Sequence, residues 1–178
     1  NRLQSKGPLQ IGSVQGMVNH EAVEAGDFVI ITVPFEAQFD TISELKNILQ
    51  DKVVVDTVVP LNFAKGSIST IPVEEGSAAE QAQSILTNAT VVSAFHNLSA
   101  ETLVDLDQNL DSDVIICGDD LSTKNKIMTL AGKIVGIRAI DGGSLANSRY
   151  VEDLTALLLN INKIYKIHSS IKITGVDT

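Results

Sequence analysis

The sequence predicts an α/β fold, a doubly wound parallel sheet with a smaller α/β domain on its C-terminal side. Three observations predict it. Apolar, β-branched runs of strand length recur along the chain, as in Phe28 to Val33, Val53 to Val55 and Val114 to Cys117. Segments between them carry apolar residues at helical spacing, the mark of βαβ units. The runs are apolar without alternation, as strands covered on both faces are.

Taken in order, Leu9 to Gln15 reads as a weak first strand, and Asn19 as the cap of a helix that stops at Gly26. Phe28-Val-Ile-Ile-Thr-Val33 reads as a central parallel strand. Pro34 suits the first turn of the next helix, which carries Phe39, Ile42, Leu45 and Leu49. Val53 to Thr57 is the next strand, and a loop then runs through Pro60, Gly66 and Pro72. Ser77 and Glu80 have capping-box spacing at the head of a helix from Ala78 to Leu86. Thr90 to Phe95 forms another strand, followed by a short helix from Ala100 to Leu106. A strand from Val114 to Cys117, a helix from Ser122 to Lys133 and a strand from Gly136 to Ile140 come next. The longest helix spans Leu145 to Ile167, and Ile171 to Ile173 could pair as an edge strand.

The 178 residues suffice for one domain, or for one and a small appendage. A formal net charge of −9 argues against a nucleic-acid or anionic-membrane partner, since both reward a basic face. Cys117 is the single cysteine, which fits a reducing compartment, and no apolar run approaches the ~20 residues of a bilayer span. The expectation is a cytoplasmic protein. Its two glycosylation triplets, at Asn88 and Asn97, are read as chance.

Neither a G-x-G-x-x-G turn nor a P-loop occurs. The chain opens on a polar stretch that reads like the tail of a helix, and its first methionine is Met17. A fragment lacking the opening strand, turn and helix of a nucleotide fold is therefore expected. The acidic run Asp105, Asp107, Asn109, Asp111, Asp113 imitates a calcium loop but has Leu110 and Ile116 where glycine and glutamate are needed. His20, His96 and His168 have no second ligand at zinc spacing. No G-x-S-x-G elbow supports acyl transfer.

His96 stands apart because it follows a buried strand, and open α/β sheets bind ligands outside the carboxyl ends of their strands. Three strands end in unusual loops: Thr32-Val-Pro-Phe35, Thr57-Val-Val-Pro-Leu61 and Phe95-His-Asn-Leu-Ser99. A crevice so poor in charge suits a flat, partly apolar ring system; the competing reading is that the prolines merely end strands. For His96 the competing role is a hydrogen bond that closes its own loop.

Ile31-Thr-Val-Pro-Phe35, Val59-Pro60, Ser93-Ala-Phe-His96, Cys117-Gly-Asp-Asp120 and Ser144-Leu-Ala-Asn-Ser-Arg149 follow one another at a familiar spacing. Together they resemble the coenzyme F420-dependent NADP oxidoreductase family, from about Gly12 to Ile173. The family's glycine-rich turn, and the basic residues that read the NADP 2′-phosphate, have no counterpart here. The resemblance implies a Rossmann-like fold, with residues 1–100 as a truncated NADP-binding domain and residues 101–178 as a small C-terminal domain. It implies hydride transfer between NADP(H) and the deazaflavin coenzyme F420, with both as small-molecule substrates. It places Val33, Pro34 and Phe35 along the nicotinamide-ribose, and Val59, Pro60, His96 and Leu98 around the facing rings. Ala100 would lie near NADP and Ser169 near the deazaflavin. No obligatory catalytic acid is expected, because the cofactors carry the electrons; His96 is the candidate polar contact.

Two rival functions remain open at this point. One is an NADPH-binding module of a metalloreductase-like electron-transfer protein. The other is a reductase of imino or keto acids, for which Arg149 is the one placed carboxylate partner. The wide apolar surface of the last helix, with Leu154, Leu157, Leu158, Leu159, Ile161, Ile164 and Tyr165, further predicts a homodimer.

Overall fold

The computed structural model describes residues 14–105 and 109–176. Among the described residues seven strands and six α-helices follow in the order α1 (Asn19–Ala25), β1 (Phe28–Ile31), α2 (Phe35–Leu49), β2 (Val53–Asp56), β3 (Leu61–Ala64), β4 (Ser67–Thr70), α3 (Ala78–Ile85), β5 (Thr90–Ser93), α4 (Ala100–Leu103), β6 (Ser112–Ile116), α5 (Leu121–Ala131), β7 (Ile137–Asp141) and α6 (Ser148–Tyr165). A 3₁₀ turn, Leu145–Asn147, leads into α6.

Strands β1, β2 and β5 form one parallel sheet in that order, and β6 and β7 form a second parallel pair. Ser93 and Cys117 join the two by exchanging backbone hydrogen bonds of 2.8 and 3.0 Å. Alternate residues of the central strands serve two cores, as a period of two requires. Val54 and Val91 pack with Ile42, Leu49 and Leu86 beneath α2 and α3. Val55 and Val92 pack on the other face with Val114, Ile116 and Ile127 beneath α5. Each of these valines is at most 1% exposed, so each contributes about 2 kcal/mol of hydrophobic stabilisation. Helices on both faces of a parallel sheet make the chain doubly wound, as the unbroken apolar runs foretell.

Several local expectations change. Asn19 is the first residue of α1 rather than its cap; Val18 holds the cap position with no side-chain bond. Pro34 caps α2 from outside instead of opening its first turn. In the expected strand from Leu9, residues 9–13 lie outside the described residues, and Val14 and Gln15 are not strand. Among the described residues β1 is an edge strand, with Phe28 and Ile30 partly exposed, rather than a central one. The loop through Gly66 is an antiparallel hairpin, β3–β4, pinned to α6 by Asn160, which accepts from the Ile68 N–H at 3.0 Å and donates to its carbonyl at 2.6 Å. Residues 171–173 form no strand: the Asp113 N–H reaches the Ile171 carbonyl at 2.9 Å, but no ladder follows.

Ser77 caps α3 as the spacing predicts, while the Glu80 carboxylate reaches back to the Ser77 hydroxyl rather than to its backbone N–H. The Ser77 hydroxyl accepts from the Glu80 N–H at 3.0 Å and donates to the Glu80 carboxylate at 2.9 Å.

Candidate active site at the strand ends

Because β1, β2 and β5 run parallel and in register, Ile31, Asp56 and Ser93 stand side by side at their carboxyl ends. The three loops singled out in the sequence therefore leave the sheet from one edge. The Thr57 hydroxyl donates to the Ile31 carbonyl at 2.9 Å, and the Ala94 N–H to the Asp56 carbonyl at 3.0 Å, so the loops are extensions of the ladder. Phe95 then takes a left-handed backbone, φ 67°, rare for an aromatic residue and costing about 1–3 kcal/mol. The turn it makes carries His96 out of the sheet direction.

His96 is 6% exposed, and neither ring nitrogen has a hydrogen-bond partner among the described residues. Burial without a partner pushes its pKa down to about 4, so the ring is neutral at ordinary pH. It lines a cavity of about 460 Å³ bounded by the loop after β5, by Thr155 and Leu158 of α6, and by the chain after α6. Leu98, Ala100 and Ser169 line the same cavity, so four of the expected binding residues meet there. Val33 lines a separate hollow of about 240 Å³ beside β1, with Val23, Phe28 and Leu45. Pro34, Phe35, Val59 and Pro60 line neither. Phe35 packs on the first core, and the buried Pro60 accepts from the Ile71 N–H at 2.7 Å, closing the hairpin.

Two buried acids beneath the loops went unnoticed in the sequence. Asp56 is fully buried; one carboxylate oxygen accepts from the Val58 N–H at 2.9 Å and the other has no partner among the described residues. Burial raises its pKa to about 8, against the Val58 hydrogen bond and aided by the charge of Glu152. Burial likewise raises Glu152 to about 7, although the Ala78 and Ala79 N–H groups oppose the shift. Signals existed: Asp56 ends an unbroken apolar strand, and Glu152 lies with Ser148 and Thr155 on the buried stripe of α6.

The sequence motifs behind the family resemblance turn out to tie elements together. Gly118 lets the chain pass against Val92, where a Cβ would come within 3.1 Å of that side chain. Asp119 accepts from the Leu145 N–H at 3.0 Å, and Asp120 caps α5 through the Thr123 N–H at 2.7 Å. The Asn147 amide donates to the Gly142 carbonyl at 2.7 Å, and the Ser148 hydroxyl bonds that of Ser93 at 2.7 Å. Arg149, the candidate carboxylate partner of an imino- or keto-acid reductase, pairs with Glu80 at 3.0 Å. Among the described residues no three His, Cys, Asp or Glu side chains gather to hold a metal ion. Nor, among those residues, is any helix long and apolar enough to cross a membrane.

The family described as NADP oxidoreductase, coenzyme F420-dependent, matches residues 4–60. Over 165 residues the chain is 41% identical to the F420-dependent NADP reductase of Methanocaldococcus jannaschii, covering 91% of this chain and 74% of that protein. The chain belongs to the F420-dependent NADP reductase family. A crystal structure from Arthrobacter sp. FB24, described as an F420-dependent NADP-reductase, superposes with a TM-score of 0.78 over 87% of this chain and 73% of that one. At 22% identity it supports the family's Rossmann-like fold and nothing finer. The metalloreductase STEAP3 of Rattus norvegicus is 30% identical over 139 residues, 78% of this chain but 27% of its own length. Against the 74% coverage of the archaeal reductase, that partial match leaves the metalloreductase reading second for a member of the F420-dependent family.

Proposed function

We propose that this chain transfers a hydride between NADP(H) and the deazaflavin coenzyme F420. One observation carries the reading in a member of this family: a largely apolar cavity beyond the carboxyl end of β5 is lined by a neutral, buried imidazole whose nitrogens have no hydrogen-bond partner among the described residues. An orphaned polar group of that kind needs a partner, and a ring carbonyl or ring N–H of a planar ligand supplies one. The residues thus fit a deazaflavin.

When bound, the two cofactors supply the hydride donor and acceptor. The protein's part is to hold and align. Leu98 and Leu158 offer apolar contact to a ring, and His96 fixes its in-plane orientation by donating from one nitrogen. Being neutral, His96 adds no fixed positive charge to the cavity. Val33, Pro34 and Phe35 after β1, with Val59 and Pro60 after β2, are proposed to hold the nicotinamide-ribose side, and Ala100 to approach NADP. Emergence from one sheet edge supports this assignment. The division at residue 100 is also a proposal; the core shared by Val55, Val92 and Val114 means that the two parts would pack closely. A homodimer and a cytoplasmic location belong to the same reading.

Mixing the full chain with NADPH and oxidised F420 tests it. The expected result is loss of the deazaflavin's visible absorbance, in step with NADPH consumption. NADPH oxidation by ferric chelates, with the deazaflavin unchanged, would instead favour the metalloreductase-like module.

A further inference from the structure

The cavity has two walls that are far apart in sequence, the loop after β5 and the strap of residues 168–173, which has no regular secondary structure. One residue, Asp113, is bonded to both. The Asp113 carbonyl accepts from the Asn97 amide at 2.7 Å, between His96 and Leu98. Its N–H donates to the Ile171 carbonyl at 2.9 Å, and its carboxylate accepts from the Ile173 N–H at 2.6 Å. Arg138 on the adjacent strand grips that carboxylate with two hydrogen bonds, of 2.9 and 2.7 Å, and also donates to the carbonyls of Ile173 and Val176. Asp113 is fully buried, and the Arg138 bonds hold its carboxyl below the usual range.

Other ties on the strap are weaker. His168 contacts Ser99 and Glu101, both at 3.3 Å, and Lys172 pairs with Asp111, all at exposed sites where ion pairs contribute little. Ser169 adds one good bond, its N–H to the Asn162 side chain at 2.6 Å. A bidentate pair whose carboxylate is buried and accepts three hydrogen bonds is the stiff member of this set.

Resting on the reading of the cavity as the deazaflavin site, we infer that Asp113 and Arg138 are positioning residues, which set the gap between the His96 loop and the Ser169 strap and hence the affinity for the deazaflavin. They touch no cofactor themselves. Their effect should therefore fall mainly on the deazaflavin: the strap borders the cavity of His96 and Ser169, where Ala100 alone is assigned to NADP, whereas the hollow beside β1 contains none of its residues.

The test compares wild type, Arg138→Gln, Arg138→Lys and Ile173→Pro in the full chain; the last deletes the N–H that Asp113 accepts and leaves both charges in place. Amide hydrogen exchange is read without ligand, and F420 and NADPH affinities are read by fluorescence titration. Arg138→Gln and Ile173→Pro should speed exchange at Ser169 but not in β5, and weaken F420 binding about tenfold, the equivalent of about 1.4 kcal/mol. NADPH affinity should stay within about twofold, and Arg138→Lys should recover part of the loss. Faster strap exchange with unchanged F420 affinity would overturn the inference, as would equal weakening for both cofactors. If Arg138→Gln unfolds the chain, Ile173→Pro decides alone. A wild-type chain that binds NADPH but no deazaflavin overturns the functional reading and the positioning role with it. Exchange at Ser169 then still reports whether Asp113 anchors the strap.

Discussion

His96 is held neutral by burial alone, and that has a measurable sign. Its folded pKa of about 4 lies below the ordinary value of 6.5, so the unfolded chain takes up the proton first as pH falls. The stability this residue allows is complete above about pH 6.5 and is lost toward pH 4, by up to about 1.4 kcal/mol per pH unit. In His96→Ala that slope should disappear from the pH dependence of the urea midpoint. At pH 7 the variant should melt within a few degrees of wild type, because deleting an unpaired buried imidazole offsets the small cavity it leaves. Its kcat/KM for hydride transfer should drop about tenfold, the loss of one oriented hydrogen bond. A large fall in melting temperature with normal kinetics would make His96 a structural residue instead. The sequence shows His96 as a candidate because it follows an apolar strand. Its isolation was not legible, since whether a loop carbonyl reaches an imidazole depends on the turn at Phe95.

At the scale of elements, α3 begins inside the protein, and its first N–H groups need acceptors that water cannot supply. Ser77 provides one, and Glu152 of α6 the others, accepting from the Ala78 N–H at 3.0 Å and the Ala79 N–H at 3.4 Å. Glu152→Ala should therefore cost about 2–3 kcal/mol of unfolding free energy, while Glu152→Gln, which keeps an acceptor, should cost under about 1 kcal/mol. Urea unfolding at constant m checks the pair, and equal losses would mean that packing rather than capping matters. Ser77 and Glu80 were legible because a capping box is local. Glu152 was not, since its partners lie more than seventy positions away. The β3–β4 hairpin was missed for a different reason. Its turn, Lys65-Gly66, with φ 94° at the glycine, is a recognisable signal, but each flank alternates over only three residues, Leu61-Asn62-Phe63 and Ser67-Ile68-Ser69, too short a run to mark a strand. Phe63 is 70% exposed, so the strand buries little and is held by Asn160 instead.

For the whole molecule, the long helix predicted to be apolar nearly all round divides its surface differently. Leu158, expected at a subunit contact, is buried within the chain and lines the cavity, whereas Leu157, Ile164 and Tyr165 are more than half exposed. Those exposed residues support the proposed homodimer and relocate its test. Leu157→Glu combined with Ile164→Glu should shift sedimentation from dimer to monomer at tens of micromolar without lowering the melting temperature of the monomer, because a charge buried in an apolar interface costs several kcal/mol. A wild-type chain that sediments as a monomer would reject the dimer. The doubly wound order was legible because the strand runs are apolar on both sides. The five motifs that revealed the family proved to be mostly joints between elements, and what they join is visible only in three dimensions.

Phe95 in its left-handed turn, His96 without a partner and Asp56 sealed against Val58 all sit at the same sheet edge, and each works against folding. A search for heat-tolerant variants would therefore find some of its largest gains at these positions, by substituting glycine, an apolar residue and asparagine. Those gains would come at the expense of turnover, because the least comfortable part of the fold is also where we propose that the rings are aligned. Engineering for durability in this protein is better directed at the far ends of the strands, where stability and chemistry do not compete.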